Sequence, residues 1–257
     1  MLKFAPGRRR RIAQTKARKF VYFANRQIHF SVIYLHQKLR KGTPKMKYII
    51  LDTETTNDID CPLVYDVGFS VIDETGKTFA SYSYVNADVF CDDELMSTAF
   101  FADKIPQYWE DITDGYRVLK SFRSIERIFR RVCKDWGVSA IVAHNARFDY
   151  NALNNTKRYI TSSKYRYFFP YGIKIIDTLK MSKITLGNNE DYREFCISNN
   201  YVTSRNENRY TAEIIYRFLT NCNDFVEEHT GLADCMIEKD IFSYCLVTIT
   251  ENDGYLW

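Results

Sequence analysis

Proline and glycine are scarce in this 257-residue chain, at 5 and 10 residues, which excludes a collagen-like or linker-like architecture. No stretch of 18 uninterrupted apolar residues occurs, which argues against a transmembrane helix. The seven cysteines include no Cys-x-x-Cys pair, and none stands at zinc-finger spacing from a histidine. Their odd number speaks against a disulfide framework; they read as reduced cytosolic thiols, mostly buried or incidental. Acidic residues are wholly absent from the first 45 positions.

What is present fits a globular domain. Hydrophobic residues make up 46% and charged residues 26%, so a core of ordinary size can form. The length allows one generous domain or a domain plus an extension. The charge is divided: residues 1–45 carry 13 Lys and Arg, whereas the remaining 212 hold 23 basic and 32 acidic side chains, an excess of nine negative charges. An acidic body that handles nucleic acid must gather metal cations or use local basic patches.

Residues 1–45 are expected to be a basic N-terminal extension that is either disordered or not translated. The apolar stretch from Ile28 to Leu35 is interrupted by His29 and makes a poor signal-peptide core. A transit peptide would carry more serine, and a nucleic-acid-binding arm is a further reading of Arg8 to Arg11. Alternatively, translation starts at Met46, immediately before the strand-like Lys47-Tyr48-Ile49-Ile50-Leu51-Asp52. Arg40-Lys41-Gly42 can be encoded by a purine-rich ribosome-binding tract three codons upstream. Residues 46–257 then form the domain.

Within that domain, strands are expected near 48–51, 64–72, 78–85, 140–143 and 173–176. The first three form an antiparallel meander. Apolar residues at 122, 125, 128, 129, 132 and 136 follow a helical period, with Gly137 as the stop. A helix begins near Phe148, and others cover about 191–198, 209–220 and 231–246. The order predicts an α/β domain with a mixed five-stranded sheet.

Three constellations carry chemistry. Asp52-Thr53-Glu54 ends the first strand, where residues two apart share a face. Paired carboxylates there repel unless a cation neutralises them, and hard divalent ions prefer such oxygen ligands. His144-Asn145-Ala146-Arg147-Phe148-Asp149 lies at a strand-to-helix boundary, with Phe148 packed inward, Asp149 in the first turn, and Asn145 also readable as an N-cap. His229-Thr230-Gly231-Leu232-Ala233-Asp234 opens an amphipathic helix, with His229 on the loop before it.

In order and internal spacing, these motifs resemble the DEDDh (DnaQ-like) 3′–5′ exonucleases: D-x-E, then H-N-x-x-F-D, then H-x-x-x-x-D. Asp66-Val67-Gly68 and Asp177-Thr178-Leu179 match secondary features, and the run Phe225 to Glu238 is most similar to small exonucleases of bacterial viruses. The resemblance covers about residues 46–246. Many relatives carry Ala where Gly231 and Cys235 stand; both are small, so close helix packing is expected to survive.

The resemblance implies a ribonuclease H-like fold with helices on both sheet faces, and two Mg²⁺ or Mn²⁺ ions. Asp52, Glu54 and Asp234 would hold the ion that carries the attacking water. Asp52 would bridge to the second, Asp149 would support it through water, and His229 would be the general base. The implied substrate is single-stranded nucleic acid, DNA favoured over RNA, cut to nucleoside 5′-monophosphates in the cytoplasm of a bacterial host. Exoribonuclease activity and a non-catalytic nucleic-acid-binding role are the alternatives; a polymerase or homodimer partner is left open. Substrate contacts are assigned to Thr53, Thr55, Asn145 and Phe148 beside the carboxylates. Arg158, Tyr165 and Arg166 join them from a run that interleaves aromatics with cations and suits single strands. A partly buried aromatic hairpin is the other reading of that run. The cations along the helix 122–136 read as a solvated face.

Overall fold

A computed structural model describes residues 46–252, so the basic extension 1–45 lies outside the described residues. The first strand, β1 (Lys47–Thr56), buries both of its faces: Tyr48 and Ile50 enter one apolar cluster, Ile49 and Leu51 the other. Such a strand belongs in the middle of a sheet covered on both sides. β1 pairs antiparallel with β2 (Leu63–Asp73), and β2 with β3 (Thr78–Asn86), completing the expected meander. On its other edge β1 pairs parallel with β5 (Val138–Ala143), and β5 with β6 (Lys174–Asp177).

The sheet has six strands, not five, in the order β4-β3-β2-β1-β5-β6. The additional β4 (Val118–Lys120) pairs parallel with β3 and is three residues long, too short for an alternating pattern to be legible. The segment between β3 and β4 has structure that the pattern did not announce. It forms α1 (Ala87–Phe90), α2 (Asp93–Met96), a 3₁₀ turn at Ala102–Lys104 and α3 (Ile105–Thr113). These pack a separate apolar cluster around Tyr65, Phe90 and Tyr108.

One sheet face carries α4 (Phe122–Asp135) and α5 (Arg147–Ile160). Phe122, Ile125, Phe129 and Val132 of α4 are buried as their period requires, and Arg123, Arg127, Arg131 and Lys134 face solvent. Gly137 follows at φ +58°, the left-handed geometry of a helix stop. The other face carries α6 (Thr178–Leu186), α7 (Glu190–Ser198), α8 (Ala212–Thr220) and the long α9 (Gly231–Asn252). Among the described residues all seven cysteines are unpaired thiols, and no helix is long and apolar enough to cross a membrane.

The first turn of α9 lies directly against the sheet. A Cβ on Gly68 of β2 would stand 2.0 Å from the carbonyl carbon of Gly231, and one on Gly231 would stand 2.7 Å from the Gly68 nitrogen. Even alanine at 231 would therefore require backbone to move, so that close approach needs glycine on both sides. Beside it the buried Asp66 Oδ2 accepts from the Gly231 N–H at 3.0 Å, the Tyr108 hydroxyl at 2.7 Å and Arg117 Nη1 at 2.8 Å. One carboxylate thus fastens the start of α9 to β2, α3 and the segment leading into β4.

Gly68→Ala should lower the midpoint of thermal unfolding by roughly 6–12 °C, the equivalent of about 3 kcal/mol of overpacking. Gly115→Asn, where a Cβ meets nothing and the φ of +77° suits asparagine, should shift it little. Equal midpoints for Gly68→Ala and the wild type, measured by circular dichroism, would contradict the close contact.

Candidate active site

The central strand, the start of α5 and the start of α9 converge on one open cleft of about 1020 Å³. Asp52 and Glu54 reach it from β1, Asp149 from the first turn of α5, Asp234 from the first turn of α9, and His229 from the loop before it. Glu54, His229 and Asp234 present ligand atoms within 4.8 Å of one another. Asp52 and Asp149 line the same cleft outside that tight group. Asp149 and Asp234 are only 3% and 6% exposed, so these carboxylates face one another in a poorly solvated space.

Their electrostatics follow from that burial. Desolvation and then the negative charge of Asp66 push Glu54 up to about 8, against a partial offset from Lys104. Asp234 rises to about 9 through burial, then Glu227 and Glu54. Burial lifts Asp149 to about 7, although the Thr53 hydroxyl, donating to its Oδ1 at 2.8 Å, favours the charged form. Asp52 is also raised, first by burial and then by Glu238 and Asp149. Asp234 Oδ1 and Glu238 Oε2 are buried and accept no hydrogen bond. A cluster of protonated or repelling hard-oxygen donors with orphaned acceptor atoms fits divalent cations of the Mg²⁺ or Mn²⁺ type.

His229 sits at φ +49°, an unusual backbone geometry for a non-glycine residue. Its ring stacks on Phe101 with centroids 4.3 Å apart and planes 14° from parallel. Its Nδ1 lies 4.0 Å from Glu227 Oε2. Burial, and then the charge of Lys104, lower its pKa. The loop that carries it is tied to α8, because Arg217 pairs with Glu213 and donates to the Phe225 carbonyl, while Glu213 Oε2 accepts from the Glu227 N–H.

The expected substrate contacts divide. Thr53, Asn145 and Phe148 line the cleft, but the Thr53 hydroxyl is committed to orienting Asp149. Phe148 is half-buried on the cleft wall rather than packed inward. Asn145 does not cap α5: it takes a left-handed φ of +61°, its N–H donates to Asp177 Oδ1, and Ala146 occupies the cap. Thr55 does not line the cleft. Arg158 lies nine residues beyond Asp149, roughly 13 Å along the helix. Arg158, Tyr165 and Arg166 fall outside the cleft lining, and the two arginines donate to Asn155 and to the Ser163 carbonyl. The aromatic run itself splits, with Phe168 and Phe169 in the core and Tyr165, Tyr167 and Tyr171 exposed.

Several residues in or beside the cleft gave no local signal. Phe101 and Lys104 come from the segment after β3, and their packing on His229 and the Glu228 carbonyl is purely tertiary. Glu238 lies one turn beyond Asp234, an (i, i+4) spacing that could have been read from the sequence, and it accepts from the His144 N–H. His144 is structural: Nε2–H donates to the Tyr210 carbonyl at 2.8 Å, so Nδ1 accepts from Thr178 at 3.0 Å.

No family model matches this chain, and no curated protein sequence matches it. Solved structures of exonuclease I do. That of a moderately thermophilic exonuclease I from Methylocaldum szegediense aligns with a TM-score of 0.53 at 15% identity, over 81% of this chain and 41% of the other. The zinc-bound E. coli exonuclease I complex with single-stranded DNA aligns with a TM-score of 0.47 at 11% identity, over 82% and 42%. This chain therefore spans well under half the length of these enzymes. The first likeness establishes a ribonuclease H-like α/β fold; the second adds nothing to it.

Metal-free protein should lose stability as pH rises from 7 to 9, above the histidine range. Unfolded carboxylates are already ionised there, whereas Glu54 and Asp234 give up their protons only in that window, so the folded state alone pays repulsion. Thermal melts in EDTA should fall across this range, Mn²⁺ should restore them, and Asp234→Asn should flatten the dependence. Melting temperatures that climb between pH 7 and 9 in EDTA would refute the clustering.

Proposed function

We propose that this chain is a divalent-metal-dependent 3′–5′ exonuclease of the DEDDh family that degrades single-stranded DNA to nucleoside 5′-monophosphates. The observation that carries this reading is the convergence of Asp52, Glu54, Asp149, Asp234 and His229, from three separate elements, on one open cleft. The fold it shares with exonuclease I agrees with it. A binding protein has no use for four carboxylates held together against their own repulsion.

Asp52, Glu54, Asp149 and Asp234 would hold two Mg²⁺ or Mn²⁺ ions, which supply charge neutralisation at the phosphate and lower the pKa of a bound water. His229 takes the proton of the attacking water. Its Nδ1 faces Glu227, which leaves Nε2 for that proton. Phe101 fixes the plane of the ring, and burial, then the charge of Lys104, penalises the imidazolium. Thr53 holds Asp149 in one rotamer. Glu238 fastens the turn after β5 to α9, and with it the relative placement of Asp149 and Asp234.

With Mn²⁺ and 5′-labelled DNA and RNA of one sequence, the DNA should shorten from its 3′ end, faster than the RNA. EDTA should abolish the ladder, and Asp52→Ala or Asp149→Ala should reduce the rate by about 10³-fold or more with the fold retained. Undiminished hydrolysis in either variant would overturn the assignment.

The rate should fall on acidification with a midpoint below 6.5, the ordinary histidine value, because the lowered pKa of His229 keeps the base neutral to lower pH. Lys104→Met removes the nearby cation, so the midpoint should rise. A rate–pH profile at saturating Mn²⁺ with the midpoint unmoved or lowered by that substitution would count against His229 as the base.

A further inference from the structure

The cleft has a second wall whose chemistry opposes the first. Lys183 reaches it from α6, Arg193 from α7, and Arg209 from the turn that leads into α8. Among the described residues none of the three has a carboxylate within 4.0 Å. Away from the cleft, Arg117, Arg130, Lys157 and Arg217 of this acidic domain are each paired with a carboxylate. Glu207 is the one carboxylate on this wall.

The wall is built rather than incidental. Residues 199–210 fold back on themselves through an isolated bridge between Val202 and Asn208, with Asn200 and Asn206 in left-handed geometry at φ +59° and +60°. Arg193 Nη1 donates to Asn208 Oδ1 at 2.8 Å, and Arg209 Nε donates to the Val202 carbonyl at 3.2 Å. The Arg209 carbonyl accepts from the buried Tyr192 hydroxyl, and the neighbouring Tyr210 carbonyl from His144. Each guanidinium spends one N–H on a neutral acceptor that orients it, which leaves its other four donors and its full charge for a ligand. Phe148 and Tyr210, both half-buried on the lining, lie with these cations on the same cleft as the carboxylates.

We propose that Lys183, Arg193 and Arg209 hold the backbone phosphates of a single polynucleotide strand upstream of the bond being cut, with Phe148 and Tyr210 receiving its bases. Phosphate is the ligand that two oriented guanidinium groups and an exposed lysine on the same cleft select, and guanidinium forks match its oxygens. Aromatic faces beside a cationic track suit an unpaired strand, because every base offers a face to stack on. The proposal rests on the reading of this cleft as a nuclease site and adds to it where the rest of the strand runs. Affinity for a chain is thereby separated from chemistry at its end: the carboxylate wall acts on one phosphodiester, the cationic wall on its neighbours.

The test compares full-length chains. Binding of 5′-fluorescein dT12 and U12 is followed by anisotropy with Mg²⁺ at several salt concentrations in the Asp149→Asn background, with and without Lys183→Gln, Arg193→Gln and Arg209→Gln together. At about 0.7 of log–log salt slope per phosphate contact on a single strand, the triple substitution should remove about 2 of the slope and weaken binding tenfold or more at low salt. Arg193→Lys with Arg209→Lys should retain most of the slope, which a merely folded-loop role would not do. In parallel, hydrolysis of thymidine 5′-monophosphate p-nitrophenyl ester, which has no upstream phosphate, is measured with Asp149 intact. It should be unchanged by the triple substitution. A salt slope and affinity unaltered by the triple substitution would overturn the proposal, as would equal loss in the lysine variant. An ester that no form of the protein hydrolyses would instead strike the nuclease reading, with the binding series still deciding the wall. Loss confined to dT12 or to U12 identifies which polymer occupies it.

Discussion

The site hangs on one backbone contact. The first turn of α9 lies so close to β2 that neither Gly68 nor Gly231 tolerates a Cβ, and the Asp66 carboxylate fastens the Gly231 N–H at that point. Asp234 stands one turn further on, within ligand distance of Glu54 and His229. Cys235 follows it into the sheet, with its thiol against the Gly68 carbonyl at 3.2 Å. Because the contact is between main chains, side-chain relaxation cannot absorb an added atom.

Holding that contact brings carboxylates together that would separate in water. Desolvation raises the pKa of every one of the four, and repulsion from others of the group adds to it for Asp52, Glu54 and Asp234. The energy that keeps them in place comes from apolar packing on both sheet faces, around Phe242 and Tyr48 on one and around Phe69 and Phe129 on the other. Local instability at the cleft is thus tolerated by a core built elsewhere, which is the usual arrangement for a cluster poised to take up cations. The opposite wall carries the compensating charge at a distance, where it can meet a ligand instead of the carboxylates.

Legibility in the sequence followed the range of the interactions. The meander of β1 to β3, the buried β5 and the amphipathic α4 were readable because period-2 and period-3.6 patterns are local. The spacing of Asp52 with Glu54, of His144 with Asp149 and of His229 with Asp234 was readable because each motif lies within six consecutive residues. β4 and the helices between 87 and 113 were not, being too short for a period to show and held by packing against β2 and β3. Arg158, Tyr165 and Arg166 look like strand-binding residues by composition, yet α5 carries Arg158 away from the cleft and the core draws in Phe168 and Phe169 from the same run. Composition cannot distinguish an aromatic that stacks on a base from one that packs under a sheet.

By itself, then, the sequence determined an α/β domain with an acidic body and three motifs whose residue types suit divalent cations. Only the tertiary structure decided that these motifs meet at one cleft. It also decided that Phe101 stacks on His229 beside Lys104, that Thr53 serves Asp149, and that Lys183, Arg193 and Arg209 line the same cleft as the carboxylates. The physical reason is separation along the chain. A motif is written within a few residues, whereas 125 positions part His229 from Lys104, and nothing but the packing of the fold brings them together.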